Sequence, residues 1–249
     1  GNRHDPYSDI GMVSAQGGKI INLTNSGYTS GSPRWVLDGN AILFITERYG
    51  MRAHASWGSL NDVMLVFMNQ DAYDKFRLSK EDYELQKELE KEQKNTTEAK
   101  KNDKKKGDNK EKSEEKKEEK VKDIVVELNN IEDRIVRLTP NSSDLGSAII
   151  TKDGETLYYL SAFEGGYDLW KMNLRKKDTK LLHKMDAGWA NMEMDKDGKN
   201  LFLLGSNTMQ KMGTDSESLK PISYQAHVKM DLAAERDYMF NHVYKQEQK

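Results

Sequence analysis

The stretch Ser32-Pro33-Arg34-Trp35-Val36-Leu37-Asp38-Gly39-Asn40-Ala41-Ile42-Leu43-Phe44-Ile45 decides the fold. A short strand-like run enters Asp-Gly-Asn, and a continuous apolar run leaves it. Glycine takes the positive backbone dihedral of tight hairpin turns without the clash a Cβ would bring. The apolar run suits a strand buried on both faces. The stretch therefore predicts a hairpin, and the hairpin recurs. Asp153-Gly154 leads into Leu157-Tyr158-Tyr159-Leu160, and Asp197-Gly198 leads into Leu201-Phe202-Leu203-Leu204.

Working outward, an aspartate and an apolar residue open a strand upstream of each turn. Asp9-Ile10, Asp123-Ile124 and Asp168-Leu169 lie 29, 30 and 29 residues ahead of the three turns. The second and third turns are 44 residues apart, within the roughly 40 to 50 residues of one four-stranded propeller blade. The first and second are 115 residues apart, which leaves 71 beyond one period. The spacing thus predicts an all-β partial β-propeller of about three four-stranded blades, one carrying a long insertion. The copies begin partway through a blade, as when ring closure mixes strands from both chain ends.

The surplus changes character along its length. Asp62 to Met68 reads as a core strand. From Ala72 the period becomes helical: Tyr73, Phe76 and Tyr83 are 3 and 7 apart, and Leu78, Leu85 and Leu89 are 7 and 4 apart. Lys87 to Lys122 is almost wholly polar or charged and cannot bury enough apolar surface to offset the entropy of ordering. This part is expected to be a solvated excursion, partly helical or disordered. At the other end, Met230 to Gln248 has no Gly or Pro and sets Leu232, Met239, Phe240 and Val243 on one helical face, with Asp231 as N-cap. The expected regions are 1–71, a first blade; 72–122, the insertion; 123–229, further blades; and 230–249, the start of a helical domain.

Lys plus Arg number 39 against 41 Asp plus Glu, a net charge of −2 in 249 residues. That balance offers no global attraction to nucleic acid or an anionic membrane. No apolar run approaches the roughly 20 residues that span a bilayer. The absence of cysteine removes disulfides, thiolate metal sites and a cysteine nucleophile together. Compartment is left between periplasm and cytoplasm, with the periplasm favoured for a bacterial source.

The five histidines, His4, His54, His183, His227 and His242, have no ligand partner at helical or hairpin spacing and read as structural or surface residues. No phosphate loop, zinc-helix motif or nucleophile elbow occurs. No catalytic residue, cofactor-binding residue or metal ligand is assigned. Trp35 and Trp170 lie in strand runs and are expected in the core; Trp57 and Trp189, flanked by small residues, are expected to be more exposed. Glu132-Asp133-Arg134 reads as a polar surface turn with a local ion pair, against the alternative of a fixed polar feature facing the channel or another domain.

Ser32-Pro33-Arg34-Trp35 with Asp38-Gly39 resembles the Ser-Pro-x-Trp-Ser-x-Asp-Gly blade motif of TolB and tricorn type propellers, with Val36-Leu37 departing from it. Asn130-Ile131-Glu132-Asp133-Arg134-Ile135-Val136-Arg137-Leu138-Thr139, preceded by a Lys/Glu-rich insertion, is similar to the propeller of tricorn-like serine peptidases. Ala234-Glu235-Arg236-Asp237-Tyr238-Met239-Phe240 is similar to the helical region that follows it. The resemblance implies a parent peptidase with helical, PDZ-like and catalytic regions, whose histidine sits in a Met-His-Gly-like motif and whose serine lies further on. Neither motif occurs up to Lys249, and His242 does not match. The implied partners are peptide or unfolded protein substrates and the remaining domains of the parent. A stand-alone TolB-type binding module and a structural spacer are the other readings. Three blades are fewer than the roughly 4 to 8 that close a ring, so an open arc or homo-oligomer formation through blade edges is expected.

Overall fold

The three Asp-Gly turns carry the predicted conformation: Gly39, Gly154 and Gly198 have φ of 85°, 71° and 74°. In this computed structural model, which describes residues 7–52, 58–103, 123–206, 208–225 and 227–248, each turn joins the first two strands of a four-stranded antiparallel meander. Ahead of the first meander stands a two-stranded sheet, β1 (Gly11–Met12) with β2 (Ile21–Asn22). Blade 1 is β3 (Ser30–Val36), β4 (Ala41–Thr46), β5 (Asp62–Phe67) and, beyond helices α1 (Gln70–Arg77) and α2 (Lys80–Asp103), β6 (Ile135–Arg137). Blade 2 is β7 (Asp144–Ile150), β8 (Thr156–Ala162), β9 (Tyr167–Asn173) and β10 (Asp178–Ala187). Blade 3 is β11 (Ala190–Met194), β12 (Asn200–Gly205), β13 (Thr208–Gly213) and β14 (Leu219–Pro221), and α3 (Leu232–Glu247) follows.

Strand alternation explains how the blades stack. Successive side chains point to opposite faces, so a sheet packed on both sides needs apolar residues at every position. On β4, Ala41 and Leu43 share a core with Ile150, Leu157 and Tyr159 of blade 2, while Ile42 and Phe44 meet Ile10 and Leu23 around the two-stranded sheet. On β8, Tyr158 and Leu160 turn the other way, toward Leu201, Leu203 and Met212 of blade 3. Each such fully buried side chain favours the fold by about 1.5–3 kcal/mol. Burial also pushes the Tyr159 hydroxyl up to about 12. Strand β12 differs: Leu201 and Leu203 are buried, whereas Phe202 and Leu204 are exposed. Blade 3 is covered on one face among the described residues.

The aspartate register needs one correction. Asp123-Ile124-Val125-Val126 forms no strand; Ile124 instead lies across the first turn, where a Cβ on Gly39 would meet its Cδ1 at 2.7 Å. The residue equivalent to Asp9 and Asp168 is Asp62, at the start of the third strand of blade 1. The Thr24 hydroxyl donates to Asp9 Oδ1 at 2.8 Å and accepts from Ile10 N at 3.1 Å. Thr139 repeats this on Asp62 Oδ1 at 2.8 Å and Val63 N at 3.2 Å. In blade 2, Asp168 Oδ1 accepts from Met185 N at 2.7 Å and Asp186 N at 2.8 Å. In blades 1 and 2 the aspartate thus ties the third strand to the return of the fourth, and Asp9 ties the two strands of the leading sheet. The insertion separates those two strands in blade 1, so the Asp-to-Thr spacing of 15 residues becomes 77.

One side-chain expectation also changes, at Trp35, while Trp170 packs on the core as expected. Trp35 is 51% exposed. It pairs with Ile42 in register, on the face that only a two-stranded sheet covers. Trp170 is half-buried, stacked on Tyr159 at 6.5 Å and edge-on to Phe163 at 5.0 Å. Trp189 is exposed, as its glycine and alanine neighbours suggested. Trp57, His4 and His54 lie outside the described residues. No described helix is long and apolar enough to cross a membrane.

Candidate binding surface

The first strands of the blades converge. β7 neighbours β11, and Arg34 of β3 reaches past blade 2 to Glu193 of β11 with two parallel bonds of 2.8 and 2.5 Å. A forked guanidinium–carboxylate pair is both strong and directional. The hydrogen bonds from Arg34 hold the Glu193 carboxyl below its ordinary range. This pair links the first strands of blades 1 and 3.

A second surface forms where the insertion crosses the turns of blades 1 and 2. Asn69 caps α1 by accepting from Ala72 N at 2.9 Å, and Glu127 Oε2 accepts from Gln70 N at 2.9 Å, placing an anion at the positive end of the helix. A cavity of about 680 Å³ opens here, bordered by the amides of Asn40, Asn69 and Gln86, the carboxylates of Asp71, Asp74 and Glu127, and an apolar strip of Ala72, Leu78 and Val125. Its ammonium, Lys75, is engaged by Glu90 at 2.7 Å. Such a wall of amides and carboxylates can accept hydrogen bonds from peptide N–H or cationic groups. It offers no nucleophile.

The sequence-flagged groups do not assemble a reaction centre. His183 Nε2 lies 2.8 Å from the Glu217 carbonyl, while His242 stacks on Tyr238 in the exposed α3. Among the described residues, no group of three His, Asp or Glu side chains is placed to hold a metal ion. Glu132-Asp133-Arg134 divides. Glu132 and Asp133 are exposed, but Arg134 is buried and donates to the carbonyls of Glu127, Asn129 (3.0 Å) and Phe67 (3.3 Å). It is neither a surface ion pair nor a channel feature. It binds the returning chain of the insertion to the end of β5. Sequence reasoning missed this and the Asp–Thr ties; the second was signalled by the shared Leu-Thr of Leu23-Thr24 and Leu138-Thr139.

Stacked four-stranded meanders with converging first strands define a β-propeller region. Its fold is that of the TolB and tricorn propellers. The structure superposes on the tricorn protease with a TM-score of 0.56, at 10% identity over 89% of this chain and 20% of that chain. It superposes on TolB from Acinetobacter baumannii with a TM-score of 0.51, at 10% identity over 87% of this chain and 37% of that one. The chain therefore spans well under half the length of either. No protein-family model and no curated protein matches it.

Proposed function

We propose that this chain is the non-catalytic propeller part of a tricorn-like serine peptidase, which admits or positions peptide substrates for hydrolysis by regions outside it. The observation that carries the reading is the superposition on the tricorn protease over nearly the whole chain. The Arg34–Glu193 pair and the amide-lined cavity are its candidate peptide contacts. Propellers host many functions, so the surface and not the fold must be tested. Fluorescently labelled peptides from an unfolded protein should bind the purified chain saturably by anisotropy and remain uncleaved. Cleavage that persists after contaminating proteases are removed, or no saturable binding, would overturn the proposal.

The likeness to TolB favours a second reading, a propeller that binds peptide or protein without associated catalysis. The native gene separates the two. A Met-His-Gly motif and a PDZ-like segment downstream belong to the peptidase, and their absence there belongs to the binding module.

A further inference from the structure

The inserted helices belong covalently to blade 1 yet finish on blade 2. At the root, Phe67, the last residue of β5, meets Phe76 at 5.0 Å and Tyr73 at 5.7 Å between ring centroids. Lys75 on α1 pairs with Glu90 on α2 at 2.7 Å, holding the two helices together. The far contacts all go to turns of blade 2. Arg175, in the turn after β9, donates to the carbonyls of Phe76, Leu78 (3.2 Å) and Lys75 (3.4 Å). These are the terminal carbonyls that a helix cannot satisfy itself, at its negative end. The same guanidinium lies 4.0 Å from the Tyr83 ring centroid. Tyr83 donates to the Asp153 carbonyl at 3.4 Å, and Lys87 pairs with Glu155 at 3.1 Å.

We infer that α1 and the first half of α2 form a strap across the seam between blades 1 and 2, with Arg175 as its latch. The two ends differ in kind. The root is apolar and continuous with the core, whereas the Lys87–Glu155 contact is exposed and open to screening by salt. The latch is also incompletely satisfied, because the buried Arg175 Nε finds no acceptor, which lowers the net stability of the closed state. The strap therefore releases from its blade 2 end while its root and the blades stay folded. An open cavity of about 270 Å³ lies between the strap and the turns, walled by Phe76 and Tyr83 on the strap and by Leu37, Asp38, Asp153 and Gly154 on the blades, and release of the strap widens it.

Hydrogen exchange on the full chain tests this. Arg175→Gln should speed exchange of residues 78–92 and of the 151–155 turn by roughly tenfold, with β4 and β8 unchanged. Lys87→Glu should act in the same direction, and adding Glu155→Lys should restore slow exchange. The strap is overturned if Arg175→Gln leaves 78–92 unchanged, if β4 and β8 speed up together with the helices, or if the paired reversal fails to rescue.

Discussion

Helices α1 and α3 were legible from the same kind of periodicity, yet they end in opposite surroundings. In α1, Ala72, Tyr73 and Phe76 pack on the core at Phe67. In α3, Leu232, Met239, Phe240 and Val243 are all exposed and no described residue covers them. Each is capped by an acceptor side chain, Asn69 or Asp231. The difference shows that a pattern encodes a helix and an adhesive face, while the partner for that face is a tertiary property. Eight residues are too few for a stable helix alone in water, so docking must supply the stability of α1. Sixteen residues are marginal, so α3 rests largely on its cap and propensity.

The comparison breaks most severely at Phe67. Replacing this fully buried ring with alanine removes the floor under Tyr73 and Phe76, and should cost about 3–5 kcal/mol in urea unfolding. The matching change in α3, Phe240→Ala, should stay within about 0.5 kcal/mol because that ring is 72% exposed. Equal losses at the two sites would contradict the contrast. Next in size is Arg134→Met at the base of the insertion, which leaves the carbonyls of Phe67, Asn129 and Glu127 without this donor. A loss of about 2–3 kcal/mol is expected by the same measurement. At α3, Asp231→Ala removes acceptors for Ala233 N and Ala234 N, both at 3.1 Å. It should weaken the helix by about 1 kcal/mol, seen as reduced helical circular dichroism with no change in the unfolding temperature of the blades.

What could be read from the chain follows the range of the interactions. The Asp-Gly turns were legible because each is set by a few neighbouring residues, and the both-faced strands at Ala41–Ile45 and Leu157–Leu160 because burial leaves an unbroken apolar run. The phase of blade 1 was obscured. Asp123-Ile124-Val125-Val126 imitates a strand opening by composition, while the true third strand, at Asp62, pairs with a fourth strand that begins 73 residues later at Ile135. Only the pairing of Leu-Thr with its aspartate reveals that join. Trp35 was misread for a related reason: a strand run predicts an apolar face but not the width of the sheet that covers it. The docking of Tyr83 and Lys87 onto blade 2 lay in no local pattern, since the exposed, charge-rich face of α2 reads equally well as solvated.

The second seam, between blades 2 and 3, gives the smallest effect and a pH test of how polar ties differ from the strap. Glu217, in the turn before β14, accepts from Lys171 at 2.5 Å and Lys180 at 2.9 Å. Those bonds hold its carboxyl below the ordinary value of 4.5, Lys171 contributing most. A carboxyl with a lowered folded pKa favours the folded state above its unfolded pKa, and that contribution disappears as pH falls through the folded value. Glu217→Gln should therefore be less stable than the parent at neutral pH, by under about 1 kcal/mol for so accessible a pair. The gap between the two urea midpoints should narrow as pH drops below about 4.5. A gap independent of pH would mean that the tie acts through packing rather than charge. The strap's Arg175 bonds are made to neutral backbone carbonyls, so the faster exchange of residues 78–92 in Arg175→Gln, relative to the parent, should be the same at every pH over this interval.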